Sequence, residues 1–422
     1  MLKIKHQKKD PIVPPLSISA LYNLSSFRHW NEVVIDQKEF EFTRKELKKD
    51  RNIVARALLA LGVKKGDIIT VATSRSIYEN VLLFLAANKI GAIVSFFDEK
   101  TPRETLLGYI EDFKSTVVVG YKYSDKRIKE LKRDAKTLKH FINIDGTLVD
   151  DGDIDESQTE IIERSALDGL FVDKRPIKKI AEKYKKPLPL GIFGGKNEAL
   201  ISFTSGSTSG PKPMVFTNQN LIAAALFSKA ASGIKMWDKE ITSWLDFVKF
   251  DCPYGFWTST MTPIIGGSKV ILTPDIDLSN LEYYFSKDIS VIQAVPLLFT
   301  ILLESLPDKV DLSKVKMCIS GGERLEKQTS LDIADFFKDR GATVKMCNGY
   351  GVGECLGSIT VAVGSSYHPD TVGRVVPGAH VMVLDPETGE ELGFGRTGIL
   401  YVSGKHLLNR YFNRPECLCP II

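Results

Sequence analysis

Three short stretches carry residue types that suit a nucleotide. Thr204-Ser205-Gly206-Ser207-Thr208-Ser209-Gly210-Pro211-Lys212 mixes hydroxyls with glycines and ends on a lysine. Glycine lets backbone N–H groups approach phosphate oxygens, hydroxyls add donors, and an ammonium adds a point charge. This is chemistry for a polyphosphate. The stretch is not the Gly-x-x-x-x-Gly-Lys-Ser/Thr loop, because Lys212 follows Pro211 and neither Ser nor Thr follows it. A solvent-exposed Ser/Gly linker has a similar composition; apolar runs at 199–203 and 214–216 favour a loop between two strands. Ser320-Gly321-Gly322-Glu323 is a turn where a flat ring could lie on bare backbone, or simply a turn. Asn348-Gly349-Tyr350-Gly351-Val352-Gly353-Glu354 offers an aromatic face at Tyr350 and a hard oxygen ligand for Mg²⁺ at Glu354. Each of the last two is weak alone; their order after the loop gives them weight.

The elements that must position these stretches follow from hydrophobic pattern. Thr43 and Glu46 form a capping box, and Leu47, Val54, Leu58 and Leu61 give the following helix one apolar face that ends at Gly62. Buried strands are predicted at 67–72, 92–97 and 115–119, and a second capping box, Ser76 with Glu79, before a helix to about residue 89. Thr217 is the expected N-cap of a helix running through 221–226. After it the alternation resumes, with strands at 268–272, 290–295, 315–319 and 343–347. Strands alternating with helices predict an α/β fold of two doubly wound, mostly parallel sheets packed together, with ligands in the crevice at the strand C-terminal ends. From about Gly373 the pattern changes to short strands and turns, which predicts a small β-barrel-like unit. The expected organisation is an arm and lead-in at 1–39, the α/β core at 40–370 with a surface excursion at about 145–195, and the small β unit at 371–416.

Composition excludes several classes. With 422 residues, 43% hydrophobic and 26% charged, the chain has the make-up of a large soluble protein. A net charge of +4 at this size makes no case for nucleic acid, and the basic clusters read as solvated faces. No apolar run approaches the roughly 20 residues of a membrane span. Six scattered cysteines predict free thiols in a reducing, cytoplasmic compartment rather than a disulfide framework or a zinc site.

Taken together, Thr-Ser-Gly-Ser-Thr-x-x-Pro-Lys, the Gly-Gly turn, Asn-x-Tyr-Gly-x-x-Glu and the tail motifs Gly373-Arg374, Asp385-Pro386-Glu387-Thr388-Gly389-Glu390 and Tyr411-Phe412-Asn413-Arg414-Pro415-Glu416 resemble the adenylate-forming (AMP-binding) superfamily over most of the chain. This family holds acyl-CoA synthetases, amino-acid adenylation domains and luciferases. Ser209 departs from its usual glycine and Gly353 from its usual threonine. The resemblance implies ATP and Mg²⁺ as cofactors and a small carboxylic acid as substrate, activated as an acyl-adenylate. CoA or a carrier-protein thiol would be the acceptor, an acyl carrier protein a possible partner. It further implies that Thr204, Ser205, Gly206, Ser207, Thr208 and Lys212 hold the phosphates, and that Gly321, Gly322, Glu323, Asn348, Gly349, Tyr350 and Gly351 hold the adenosine. Thr208 and Glu354 would hold the metal, with Lys212, Glu354 and Thr208 as the catalytic set. The acyl pocket would draw on Asp251, Tyr254, Phe256, Trp257, Ser320 and Gly353. Aromatics such as those at 254–257 are core more often than pocket, and Asp251 suits pairing a substrate amine, as in amino-acid adenylation domains, or capping a helix. The family's Thr-Gly-Asp segment and lysine-bearing C-terminal domain do not follow Pro415-Glu416, so the resemblance leads to the expectation of a truncated ligase with nucleotide binding and weak or no turnover. The alternatives are an amino-acid adenylating ligase or a non-catalytic nucleotide-binding module.

Overall fold

The computed structural model describes residues 10–38, 40–146, 166–204, 211–274 and 280–414. Among them are two nine-stranded sheets and a separate two-stranded ribbon. The first sheet runs, edge to edge, Arg374–Val375, Gly357–Val363, Lys345–Val352, Met317–Ser320, Val291–Ala294, Ser243–Asp246, Lys269–Leu272, Val33–Gln37 and Phe40–Thr43. Its centre is parallel from Val33–Gln37 to Lys345–Val352, with antiparallel strands at both edges. The second runs Arg410–Tyr411, Pro213–Thr217, Glu198–Phe203, Ile93–Phe96, Ile68–Ala72, Val117–Tyr121, His140–Ile144, Leu170–Val172 and Arg175–Pro176, again parallel in the middle.

The α/β expectation holds, and the layers explain why. Helix Tyr78–Ile90 is buried on every side, including Tyr78, Leu82, Phe84 and Leu85 at 1% exposure or less. A helix buried all round belongs between two sheets rather than on a surface. Phe84 meets Phe256 and Trp257 edge-on, so this helix packs on the segment that follows the strand Ser243–Asp246. Helix Arg44–Ala60 is built as expected: Thr43 caps it, with its hydroxyl accepting from the Glu46 amide and Glu46 returning to the Thr43 amide. Helix Asn218–Ser232 is likewise capped by Thr217, and ends at Gly233 in the left-handed conformation.

Four expectations change. The Ser76–Glu79 capping box does not form. The helix starts one residue later because the side-chain oxygen of Gln37 takes the Tyr78 amide at 2.6 Å, Ile77 is the cap position, and Ser76 turns to the Asp246 carboxylate at 3.2 Å. The lead-in is not only an arm: Ile18–Ser25 is a helix, and Val33–Gln37 pairs in parallel with Lys269–Leu272, far away in sequence. The excursion supplies the edge of the second sheet at Leu170–Val172 and Arg175–Pro176; residues 147–165 lie outside the described part. The small β unit is no barrel. Only Ala379–Leu384 and Ile399–Gly404 form the ribbon, while Arg374–Val375 joins the first sheet and Arg410–Tyr411 the second. Strands this short bury too little to stand alone and dock on existing edges instead.

Candidate functional site

Parallel strands in both sheets end on one crevice, as the topology of open α/β sheets requires. The residues just past those ends line a cavity of about 1120 Å³. From the second sheet come Phe97 and Asp98 after Ile93–Phe96, and Thr204 after Glu198–Phe203; from the first come Lys249, Val295 and Ser320-Gly321-Gly322. Asp98 and Lys249 pair at 3.4 Å, so an ion pair joins the two sheets at the lip.

The end where phosphates are expected is bounded by the two described ends of the serine- and glycine-rich loop. The Lys212 amide donates to Thr204 Oγ1 at 3.0 Å, and the Thr204 amide donates to the Lys212 carbonyl at 3.1 Å. This clasp holds Lys212 at the cavity wall. Ser205, Gly206, Ser207 and Thr208, the expected phosphate ligands, lie outside the described residues. Glu354 lines the same cavity; its Oε1 accepts from the Tyr411 hydroxyl at 2.8 Å. Gly353 also lines it, and a Cβ there would stand 3.0 Å from Met214 Cε. A threonine at this position would press on a methionine that is itself fully buried.

A floor of bare backbone continues from there. The strand Lys345–Val352 does not give way to a loop after Cys347; it runs on and pairs with Gly357–Val363 as a hairpin. Alternation then divides the expected residues. Cys347, Gly349 and Gly351 face the cavity with Gly321, Gly322 and Glu323, whereas Asn348 is buried and Tyr350 packs with the cluster of Cys355, Ile359 and Val402. The ring expected to stack on adenine therefore sits behind the strand. The aromatic against the Gly-Gly turn is Tyr254: a Cβ at Gly321 would meet its ring at 3.1 Å. Gly322 has φ +84°, a conformation open to glycine.

The acyl-pocket expectations also divide. Tyr254, Asp251 and Ser320 line the cavity, but Phe256 and Trp257 are core, packed against Phe84, Phe96 and Phe250. Asp251 is not a helix cap; Pro253 holds that position without a side-chain bond. Burial, and then the nearby Asp98, push the Asp251 carboxyl above the usual range. The segment Tyr254–Met261 is wound as a π-helix and continues as an α-helix to Gly266, and Tyr254, Thr258 and Thr262 on it line the cavity in succession. π-Helical turns recur at functional sites. Asp246, fully buried, anchors the segment by accepting hydrogen bonds from Ser259 at 2.6 Å, Thr260 at 2.5 Å and Ser76 at 3.2 Å.

Sequence reading missed Lys229. It sits in the last turn of Asn218–Ser232, is 7% exposed, and lines the cavity with Ser228 and Ser232. Burial pulls its ammonium down to about 8. The signal was present: Ile222, Ala225 and Lys229 share the buried face of one helix, and a lysine does not belong on such a face without a reason.

The described residues contain no cluster of three or more His, Cys, Asp or Glu able to hold a metal alone, and no helix long and apolar enough to cross a membrane. Comparison with known proteins places the fold and site in context. The profile of the AMP-binding enzyme family matches residues 26–412. A probable CoA ligase of Humulus lupulus is 26% identical, over 98% of this chain and 72% of its own length. ATP-bound MatB from Rhodopseudomonas palustris superposes with a TM-score of 0.76 at 20% identity, over 94% of this chain and 72% of that one. The inhibitor-bound N-terminal domain of FACL13 from Mycobacterium tuberculosis superposes with a TM-score of 0.77 at 18% identity, over 95% and 92%. With the family's profile spanning nearly the whole chain and its fold reproduced over most of it, the chain belongs to the AMP-binding enzymes, adenylate-forming proteins of the acyl-CoA-ligase kind.

Proposed function

We propose that this chain binds ATP in the crevice and activates a small carboxylic acid as its acyl-adenylate, for transfer to the thiol of CoA or of a carrier protein. One observation carries the reading: Lys212, Glu354 and the Gly321-Gly322 turn, far apart in sequence, line a single cavity at the strand C-terminal ends of both sheets. Thr204 and Lys212 would hold the pyrophosphate portion, where the ammonium offsets the charge that builds on the departing group. Gly321 and Gly322, with Tyr254 beside them, would seat the adenine on backbone. In the reaction a carboxylate oxygen bonds to the α-phosphorus and the bond to pyrophosphate breaks. The protein forms no covalent bond; it orients the two reactants and keeps water out.

The donor set fits Mg²⁺. That ion takes one or two carboxylates and fills its shell with phosphate oxygens and water, so a single glutamate at the phosphate end is enough. Glu354 would be that ligand, its Oε1 oriented by Tyr411. Bound there, the ion would neutralise phosphate charge. We place the protein in the cytoplasm: Cys252, Cys318, Cys347 and Cys355 are free thiols, and burial raises all four above their ordinary range.

Asp251 at the cavity wall favours one second reading, activation of an amino acid whose ammonium it would pair. ATP–pyrophosphate exchange with fatty, aromatic and amino acids decides between the two. Calorimetric titration with ATP and AMP tests the site itself. We expect Lys212→Ala to weaken ATP far more than AMP, and equal affinities in the variant and the parent would overturn the assignment.

A further inference from the structure

One wall of the cavity holds a buried cation to which the proposed nucleotide site gives no role. Lys229 is 7% exposed, and its Nζ lies so close to Gly266 that any Cβ there would collide with it. Among the described residues no hydrogen bond or ion pair is found for Nζ, and it is not one of the fully buried polar atoms left without a partner, so it opens on the cavity. Asp238, the nearest acid to attract it, spends its carboxylate on the amides of Lys235, Glu240 and Ile241. A lysine near a helix C-terminus can settle on the last carbonyls, but this ammonium does not. It is left to the cavity, and an ammonium buried without a partner is costly unless something fills the place.

Its position along the cavity is legible from one element. Tyr254 stands against Gly321, Thr258 and Thr262 follow at the next two turns on the same side, and Gly266, beside Nζ, is the next step. Twelve residues at no more than 1.5 Å each put Gly266 at most about 18 Å along the helix axis from Tyr254. Between them the wall is hydroxyls and apolar carbon: Thr258, Thr262, Ile234 and Trp244. The described lining holds Lys229 as the cation at this far end, whereas Lys212 and Lys249 stand at the strand ends near the mouth.

We infer that Lys229 is the specificity-determining residue of the acyl pocket, and that it selects a carboxylic acid whose chain ends in a second carboxylate. This rests on the proposed function for the direction of binding: the reacting carboxylate lies toward Lys212 and Glu354, the chain follows Thr258 and Thr262, and the distal carboxylate meets Nζ as a charge-assisted hydrogen bond in a water-poor site. A monocarboxylic acid of equal length leaves the ammonium buried and unpaired, so discrimination comes from the penalty as much as from the bond. Gly266 is part of the device, since any side chain there displaces Nζ.

The test is direct titration of the chain with straight-chain α,ω-diacids from butanedioic to dodecanedioic acid and with the monocarboxylic acid of each length, by calorimetry, with and without AMP. The expected result is a preference of about tenfold or more for one diacid over its matched monoacid. Lys229→Met should abolish or reverse that preference, Lys229→Arg should keep a diacid preference at altered chain length, and Gly266→Ala should weaken it with Lys229 intact. AMP affinity should be unchanged in all three. A chain that binds AMP but shows no diacid preference, or keeps it in Lys229→Met, overturns this inference and leaves the nucleotide reading standing. A diacid preference that depends on Lys229 in a chain that binds no nucleotide would support the pocket and sink the ligase reading.

Discussion

The two ends of the crevice are built from different materials. The end proposed for phosphate and adenine is backbone: the clasp of Thr204 with Lys212, the Gly321-Gly322 turn and the glycine positions 349 and 351. The far end is side chains on helix faces: Lys229 from Asn218–Ser232, and Thr258 and Thr262 from the helix after Ser243–Asp246. A backbone site depends on local conformation at strand ends and announces itself as glycine- and hydroxyl-rich motifs. A side-chain site depends on which helices come to share a wall. The first suits a ligand part common to a whole family, and the second suits the part that varies.

That contrast can be broken by experiment. The largest effect should come from Lys212→Ala: losing a charge-assisted contact worth about 1.5–3 kcal/mol should weaken ATP by about ten- to over a hundredfold, with AMP almost unaffected. Equal loss for both nucleotides would mean that the lysine serves the adenosine or the fold.

At the far end the prediction concerns stability and has a definite sign. Lys229 falls from its ordinary 10.5 to about 8 in the fold, so the unfolded chain binds more protons between those values and stability rises with pH across them. Removing the charge with Lys229→Met should therefore stabilise the unliganded protein at pH 7 by up to about 3 kcal/mol. The gain should shrink as pH rises through about 8 and vanish above the unfolded value. Urea unfolding at pH 7 and near pH 10 measures it. A gain that persists at high pH would assign it to packing rather than to a buried charge.

Smaller effects sharpen the comparison at the backbone end. Glu354→Gln should reduce the magnesium enhancement of ATP affinity by about tenfold while leaving metal-free binding nearly intact, as read by calorimetry with and without Mg²⁺. Gly322→Ala, at φ +84°, should cost about 1 kcal/mol and weaken ATP and AMP alike, because it disturbs the shared adenine seat. An alanine there that weakened ATP alone would put the turn at the phosphates.

The misread positions show where sequence reasoning stops. Ser76 and Glu79 have capping-box spacing, yet Gln37 takes the Tyr78 amide and Ser76 serves Asp246. Glu79 ends up fully buried, and burial lifts its carboxyl to about 7. Both competing partners come from the other sheet, so no window around residue 76 contains them. Tyr350 was assigned from its motif to the adenine, but strand pairing continues four residues past Asn348 and period-two alternation sends the ring to the opposite face. Phe256 and Trp257 were open to core or pocket, with core the commoner fate of such aromatics. Phe84 and Phe250 decide for core.

What the sequence by itself determined is whatever depends on neighbours within a few residues: the capped helices at Thr43 and Thr217, the apolar strands, and the nucleotide motifs at 204–212, 320–323 and 348–354 with the family they imply. Tertiary structure alone decided the rest. It set Val33–Gln37 beside Lys269–Leu272, turned Tyr254 rather than Tyr350 toward the Gly-Gly turn, and left the ammonium of Lys229 facing the cavity beside Gly266. Local propensity and motif chemistry act over one turn or one strand, whereas burial and the pairing of charge are properties of surfaces brought together from opposite ends of the chain.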